Sequence, residues 1–189
     1  QPEHFPYMGF FQKMEKSDLF VILDDVQYTK GHFQDRVQIK TIDGFKWLTV
    51  QKRDVRLGEL IKEIQLEDRK DWRKSHLDFL KQTYKKAAFF KDTINIVEEV
   101  YSKDCKSLAE VSIASIETVL DYLNMKANKK IIKSSDLRIH GQSTERVLSI
   151  CNHFNANKYI TGMGALNYFD FNSFEKQNIR VEFIDYAKT

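Results

Sequence analysis

Residues 36–51, RVQIKTIDGFKWLTVQ, constrain this chain more than any other stretch. Apolar and polar residues alternate through it, and Asp43-Gly44 lies at its centre. Alternation at period two marks a strand with one buried face, and Asp-Gly between two such runs marks a tight hairpin. A turn at Asp43-Gly44 pairs Ile42 with Phe45, Lys40 with Trp47 and Ile39 with Leu48. That register separates two faces. Val37, Ile39, Leu48 and Val50 make an apolar face; Arg36, Gln38, Lys40, Trp47, Thr49 and Gln51 make a polar one. Lys40 is expected opposite Trp47, within cation–π reach. The hairpin therefore has core on one side and two cations in a row on the other.

The rest of the chain reads as a mixture of strands and helices. Residues 18–23, DLFVIL, are continuously apolar after Asp18, which suits a strand covered on both faces in a parallel sheet. Both prolines fall within the first six residues, so the chain opens on a stiff segment in which Glu3 and Phe5, beside prolines, are expected to be extended. A short helix is expected over 6–15, with Tyr7, Phe10, Phe11 and Met14 at helical spacing. A strand follows over 61–66. Helices are expected over 70–86, 90–101 and 107–124, the last opened by a Ser107/Glu110 capping box. The C-terminal third predicts a strand at 130–133, a helix at 141–154 capped by Ser143 or Thr144, a strand at 158–161, a helical turn or two at 172–177 and a closing strand at 179–184. The sum is an α/β protein: a central, mostly parallel sheet with an N-terminal β-hairpin and a helical insertion. A single domain over 1–189 is expected, with the insertion covering 68–128.

Composition excludes several classes. The chain has 189 residues, 42% of them hydrophobic, with 14 Phe and 8 Tyr, enough to fill a core. Its net charge of +3 is spread along the chain, which argues against a nucleic-acid partner. No run of 18 apolar residues spans a membrane. Cys105 and Cys151 lack CxxC spacing and are expected to be reduced. The chain begins at Gln1 rather than Met, so preceding residues are expected, and no signal peptide is visible. The default location is the cytoplasm. There is no HExxH, no GxSxG and no paired Cys or His of ligand spacing, so standard hydrolase and zinc readings have little support and no metal-ligand residue is assigned.

Chemistry gathers at four places. Asp24 and Asp25 follow the predicted strand 18–23, where open α/β sheets bind ligands. A carboxylate there can orient an amine or hydroxyl, act as a base, or hold a divalent metal. Both face one ligand only if the backbone turns; otherwise one caps a turn and the other pairs with Lys30 or Arg36. Arg36 and Lys40 suit a phosphate, against the plain alternative of a solvated hairpin face. His4, between two prolines, and Tyr7 are placed to share the mouth with the aspartates. Gly162 and Gly164 follow a strand and can turn N–H groups toward an anion. His76 is expected to be packed and hydrogen-bonded, and Trp72, Phe79, Tyr84, Phe89 and Phe90 are expected in the core.

The order QPEHFPYMGFFQKMEKSDLFVILDDVQYTKGHF, then Arg36, Ile39-Lys40 and GFKWLTV, resembles the WbqC-like protein family. So do WRKSH at 72–76 and YITGMGALNYFD at 159–170. By position, the family's most recognisable residues fall on Gln1, Pro2, Pro6, Gly9, Asp24, Asp25, Gln27, Lys30, Arg36, Lys40 and Gly162. The resemblance implies a place in bacterial surface-polysaccharide (O-antigen) biosynthesis. It suggests a transferase that attaches an amino acid such as glycine to an amino sugar, nucleotide- or lipid-linked. On that reading Asp24, Asp25 and His4 are the catalytic candidates. Gln1, Tyr7, Gln27, Lys30, Arg36, Lys40 and Gly162 are the substrate-binding candidates. Two alternatives stand beside it: a non-enzymatic module that binds a sugar nucleotide or a biosynthetic partner, and a nucleotidyl-transfer enzyme. The chain departs from the family where Asn-Arg-Asn-Arg-Ile-Lys is usual, reading Asp35-Arg36-Val37-Gln38-Ile39-Lys40. Phe33 also stands where Trp is frequent, so the resemblance leaves room for a different or less anionic substrate.

Overall fold

The computed structural model describes residues 1–67, 71–125, 129–167 and 169–184. Within them the chain is α/β, with helices α1 (Met8–Glu15), α2 (Trp72–Tyr84), α3 (Phe90–Ser102), α4 (Leu108–Tyr122), α5 (Ser143–His153) and α6 (Phe171–Glu175). The strands are β1 (Leu19–Ile22), β2 (Arg36–Thr41), β3 (Gly44–Thr49), β4 (Lys130–Lys133), β5 (Lys158–Gly162) and β6 (Arg180–Ile184). The expected central sheet is not what the described residues form. Their strands make three separate pairs, β1 with β4, β2 with β3 and β5 with β6. The β2–β3 pair is antiparallel and the β5–β6 pair parallel. The chain divides into two compact units, Gln1–Pro6 with Ile22–Asn128, and Tyr7–Val21 with Lys129–Thr189. Both ends of the expected insertion, Asp68 and Asn128, lie outside the described residues, as do Lys70 and Tyr168.

In the first unit the organising element is α4. Ser107 caps it: its Oγ accepts from the Glu110 N–H at 3.2 Å, and the Glu110 carboxylate accepts from the Ser107 and Lys106 N–H groups. The capping box read from the sequence is thus formed. Leu108, Val111, Ile116 and Leu120 are buried along it, together with the small residues Ala109, Ser112, Ala114 and Ser115. Small side chains let neighbouring backbone come close. Residues 64–66, expected as a strand, instead follow a 3-10 turn at Ile61–Glu63 and dock on the start of α4. The Leu66 N–H donates to Lys106 and the Leu108 N–H to Ile64, both at 2.8 Å. Val50, Ile61, Ile64, Trp72, Val97, Val100 and Tyr101 complete this core. Each such buried side chain contributes about 1.5–3 kcal/mol.

The hairpin forms two residues away from the expected register. Arg36 pairs with Thr49, Gln38 with Trp47, Lys40 with Phe45 and Thr41 with Gly44, so Ile42 and Asp43 make the turn. Gly44 has φ +127° and opens the returning strand, while Ile42 and Asp43 stay out of the left-handed region. A tight turn centred on Asp43-Gly44 would push Asp43 to positive φ; the observed turn leaves that half of conformational space to glycine alone. Every partner moves by two residues, and two is the period of a strand, so both faces survive the slip.

In the second unit, Phe174, Phe169, Ile179 and Cys151 form a compact core with Tyr159, Val147, Leu148 and Phe183 packed against it. Phe10, Phe11 and Met14 of α1 are buried, whereas Tyr7, expected on that stripe, precedes α1 and is exposed. The Lys129 ammonium donates to the Glu15 and Ser17 carbonyls at 2.5 and 2.8 Å, closing the C-terminus of α1. Helix α5 begins after Gln142 without the expected Ser143 or Thr144 cap. Asparagines serve the opposite ends. Asn155 and Asn178, beyond α5 and α6, hold φ +50° and +56°, as does Asn124 beyond α4 at φ +55°. Left-handed asparagine is the usual substitute for glycine there. Cys105 and Cys151 are buried free thiols. No described helix is long and apolar enough to cross a membrane.

Candidate functional site

The segment after β1 turns: the Asp24 N–H donates to the Ile22 carbonyl at 3.0 Å, and Asp25 and Val26 lie in a bend. The Lys62 N–H donates to the Asp24 carbonyl and the Ile61 N–H to Val26, both at 3.0 Å; the Tyr28 N–H donates to Glu59 at 2.9 Å. Gln27 bridges to Leu60. Burial alternates along it: Asp24 and Tyr28 are buried, Asp25 is half-buried and Gln27 exposed. Asp24 is thus the buried member of the pair and Asp25 the more exposed one.

The loop that leads into β2 is tied down at three points. Gln34, buried, donates to the Gln1 side-chain oxygen and accepts from the Thr29 N–H at 2.9 Å. Its backbone carbonyl accepts from Ser112 Oγ of α4 at 3.2 Å. Asp35, also buried, holds an ion pair with Lys52 and accepts from the Tyr28 hydroxyl at 2.7 Å. Burial and the Asp35 carboxylate both push the Tyr28 hydroxyl well above its usual range. At Gly31, with φ +88°, the backbone carbonyl accepts from the Arg36 guanidinium. Lys30, the residue before it, is exposed.

Arg36 is also stacked on the hairpin. Its guanidinium carbon lies 4.2 Å from the Trp47 ring centroid. The cation–π contact expected of Lys40 thus belongs to Arg36, because the observed register sets Lys40 against Phe45. Phe33 packs on Trp47 at 5.6 Å and Phe45 at 6.2 Å. Two side chains of α2 brace the hairpin. Lys46 sits 4.3 Å over the Phe79 ring, and Tyr84 donates to the Lys40 carbonyl at 2.8 Å.

His4 lies in a separate, buried polar group. Its Nε2 is 3.1 Å from the Tyr101 hydroxyl, which is 2.9 Å from His76 Nδ1. The Tyr101 hydroxyl thus joins the two imidazoles. His4 Nδ1 is buried and has no hydrogen-bond partner among the described residues. Burial, aided by His76, lowers the His4 pKa to about 3; burial lowers that of His76 to about 4. Both imidazoles are therefore neutral near pH 7. Phe5, expected to be extended, holds φ +47° instead. Its N–H donates to Ser115 Oγ at 2.9 Å and its ring meets those of His4 and Tyr101. Those contacts keep a left-handed residue in place beside a proline.

Gly162 ends β5 in the second unit and is half-buried, and a 3-10 turn at Met163–Asn167 follows it. Among the described residues, no cluster of His, Cys, Asp and Glu is arranged to hold a metal. Of the first-unit candidates, the structure gathers Gln1, Lys30 and Arg36 around the 29–36 loop. Sequence reasoning did not reach Tyr28, Gln34, Lys52, Tyr101, Ser112 or Ser115. Lys52 had one usable signal: it continues the parity of Leu48 and Val50, so it points to the core side, where a cation needs a buried partner.

Comparison with known proteins agrees with the motifs. The model of the WbqC-like protein family matches residues 1–189. Uncharacterized protein Rv1507c of Mycobacterium tuberculosis (strain ATCC 25618 / H37Rv) is 30% identical over 188 residues, covering 98% of this chain and 80% of the relative. No solved structure matches. With the whole chain matched, the protein belongs to the WbqC-like protein family.

Proposed function

We propose that the protein is a cytoplasmic group transferase of bacterial surface-polysaccharide assembly. It would attach an amino acid such as glycine to an amino sugar linked to a nucleotide or a lipid. The observation that supports this is the fixed cation on the hairpin: Arg36, held by Gly31 and Trp47, with Lys40 on the same face. A cation row on a braced strand suits the phosphate of such a carrier. Asp25, more exposed than Asp24, orients the sugar amine or takes its proton; Asp24 and His4 are the remaining candidates for that role. The amine attacks the carbonyl of an activated aminoacyl donor, the new C–N bond forms, the bond to the leaving group breaks, and the amine proton goes to the carboxylate. Gln1, Gln27 and Lys30 would contact the acceptor.

The test is incubation with nucleotide-linked amino sugars and a glycyl ester or thioester, read by mass spectrometry. Gain of one glycyl group, with Asp25→Asn and Arg36→Ala each slowing transfer at least tenfold, is expected. Full activity in both variants would remove the site. One observation favours the non-enzymatic reading instead: His4 and Asp24 are 1% and 3% exposed, so two of the three catalytic candidates are buried. Tight sugar-nucleotide binding with no turnover on any donor would select that reading.

A further inference from the structure

The polar face of the hairpin carries more than cations. Phe33 is 50% and Phe45 62% exposed, and both pack against half-buried Trp47. Large aromatic rings are rarely left that open on a strand face that offers them nothing to cover. Their planes do not stack on Trp47: the interplanar angles are 51° and 83°. The open faces of Phe33 and Phe45 are thus not consumed by each other or by Trp47, whose ring meets the Arg36 guanidinium. Along the face come Phe33, then Arg36 opposite Thr49 and against Trp47, then Gln38 opposite Trp47, then Lys40 opposite Phe45. Aromatic rings and positive charge are interleaved, with Gln38 between the two cations. The Arg36 Nε is buried and meets no acceptor among the described residues, although the same guanidinium donates to Gly31.

From this arrangement we propose that the hairpin face is the recognition platform for a nucleoside diphosphate. The base stacks on Phe33 or Phe45, and the diphosphate is held by Arg36 and Lys40. The interleaving selects that class. Stacking rings alone would suit any sugar or apolar surface, and cations alone would suit any anion. Rings interleaved with cations on one rigid face suit a ligand that is itself a flat ring joined to a diphosphate. The bracing of the hairpin by Phe79 and Tyr84 means the platform is preorganised. The inference rests on the transferase reading only in taking the nucleotide, over the lipid, as the carrier of the acceptor.

The chain has two tryptophans. Trp72 is 3% exposed, so quenching of the accessible fluorescence reports on Trp47. Titration of the intact chain with UDP, GDP, inorganic diphosphate and a free amino sugar, followed by tryptophan fluorescence, is the experiment. A nucleoside diphosphate is expected to quench at least tenfold more tightly than diphosphate or sugar. Phe33→Ala/Phe45→Ala should weaken it by roughly ten- to hundredfold, in line with the strength of base–aromatic stacking. Arg36→Gln should weaken nucleotide and diphosphate alike. Phe33 and Phe45 are exposed enough for their removal to leave the fold intact, which circular dichroism checks. The proposal is overturned if the double variant binds as the wild type does, or if diphosphate alone binds as tightly as the nucleotide. It is also overturned if the sugar binds as tightly, or if the substitutions instead dissolve a dimer seen by sedimentation. Because the titration uses no donor, nucleotide binding without transfer would refute the transferase reading and leave the platform standing. Transfer that is indifferent to Phe33 and Phe45 would do the reverse.

Discussion

The Arg36 guanidinium and the Trp47 ring meet diagonally across the hairpin at 4.2 Å, while Gln38 stands directly opposite Trp47. The diagonal reach is within range of long side chains on neighbouring strands. It leaves the guanidinium carbon over the indole ring, with one N–H donating to the Gly31 carbonyl. A lysine ammonium lacks the rigid planar fork of donors that a guanidinium presents.

Arg36→Lys is therefore expected to separate two quantities. Stability should fall by only about 0.5–1 kcal/mol, the usual worth of a cation–π contact at a partly exposed site. Transfer to a nucleotide-linked amino sugar should fall at least tenfold, because the fixed fork is lost. Urea melts and initial rates on the same preparation check both. Unchanged rates would show that the cation is structural.

Asp35 and Lys52 make the opposite case. The carboxylate is buried, accepts from Tyr28, and keeps one oxygen without a partner among the described residues. Lys52→Met would strand that charge at a cost of about 3 kcal/mol, whereas Asp35→Asn with Lys52→Met should recover much of the loss. A double-mutant cycle by chemical denaturation reads the coupling. A cost below about 1 kcal/mol for the single variant would mean that water screens the pair.

His4 and His76 set a pH dependence. In the unfolded chain each takes up a proton near its ordinary value of 6.5; folded, each waits until about pH 3 or 4. Between these limits the unfolded state binds more protons, so stability rises with pH and is lost as pH falls below about 6.5. The slope is at most about 1.4 kcal/mol per pH unit for each histidine. Denaturation midpoints measured from about pH 7 down to about pH 5 should fall accordingly, and His76→Phe should flatten the curve. A midpoint that holds steady over this range in the wild type would show that the imidazoles are not held neutral.

Ser115 and Ser107, both near or on α4, should cost different amounts. Ser107→Ala removes an N-cap and is expected to cost about 1 kcal/mol. Ser115→Ala leaves the Phe5 N–H without its acceptor, at about 1–3 kcal/mol, and should speed amide exchange at Phe5 and His4. Equal protection at Phe5 in both variants would mean that the left-handed turn before Pro6 is held by ring packing alone.

Much of this was legible from local pattern. Helices α3 and α4, strand β4, the capping box and the two faces of the hairpin follow from side-chain period and from hydrogen bonds between residues a few positions apart. The hairpin register slipped by two residues, yet Arg36, Lys40 and Trp47 stayed on one face because that shift is a whole strand period. The burial of His76 was also legible, from its place on the inner stripe of α2 beside Trp72.

The sequence by itself determined which residues share a face, because neighbouring side chains obey a fixed geometry whatever they later pack against. Tertiary structure alone decided which way a loop residue points and what it finds there. Gln34 meets Gln1 across the chain, Asp35 meets Lys52, and Ser115 holds Phe5 from a distant helix. His4 became a buried neutral imidazole rather than an exposed base because Tyr101 and His76 closed around it. Each of these contacts joins segments far apart in sequence, with no local periodicity to announce it. Their energy comes from desolvation and pairing that exist only once the core has formed.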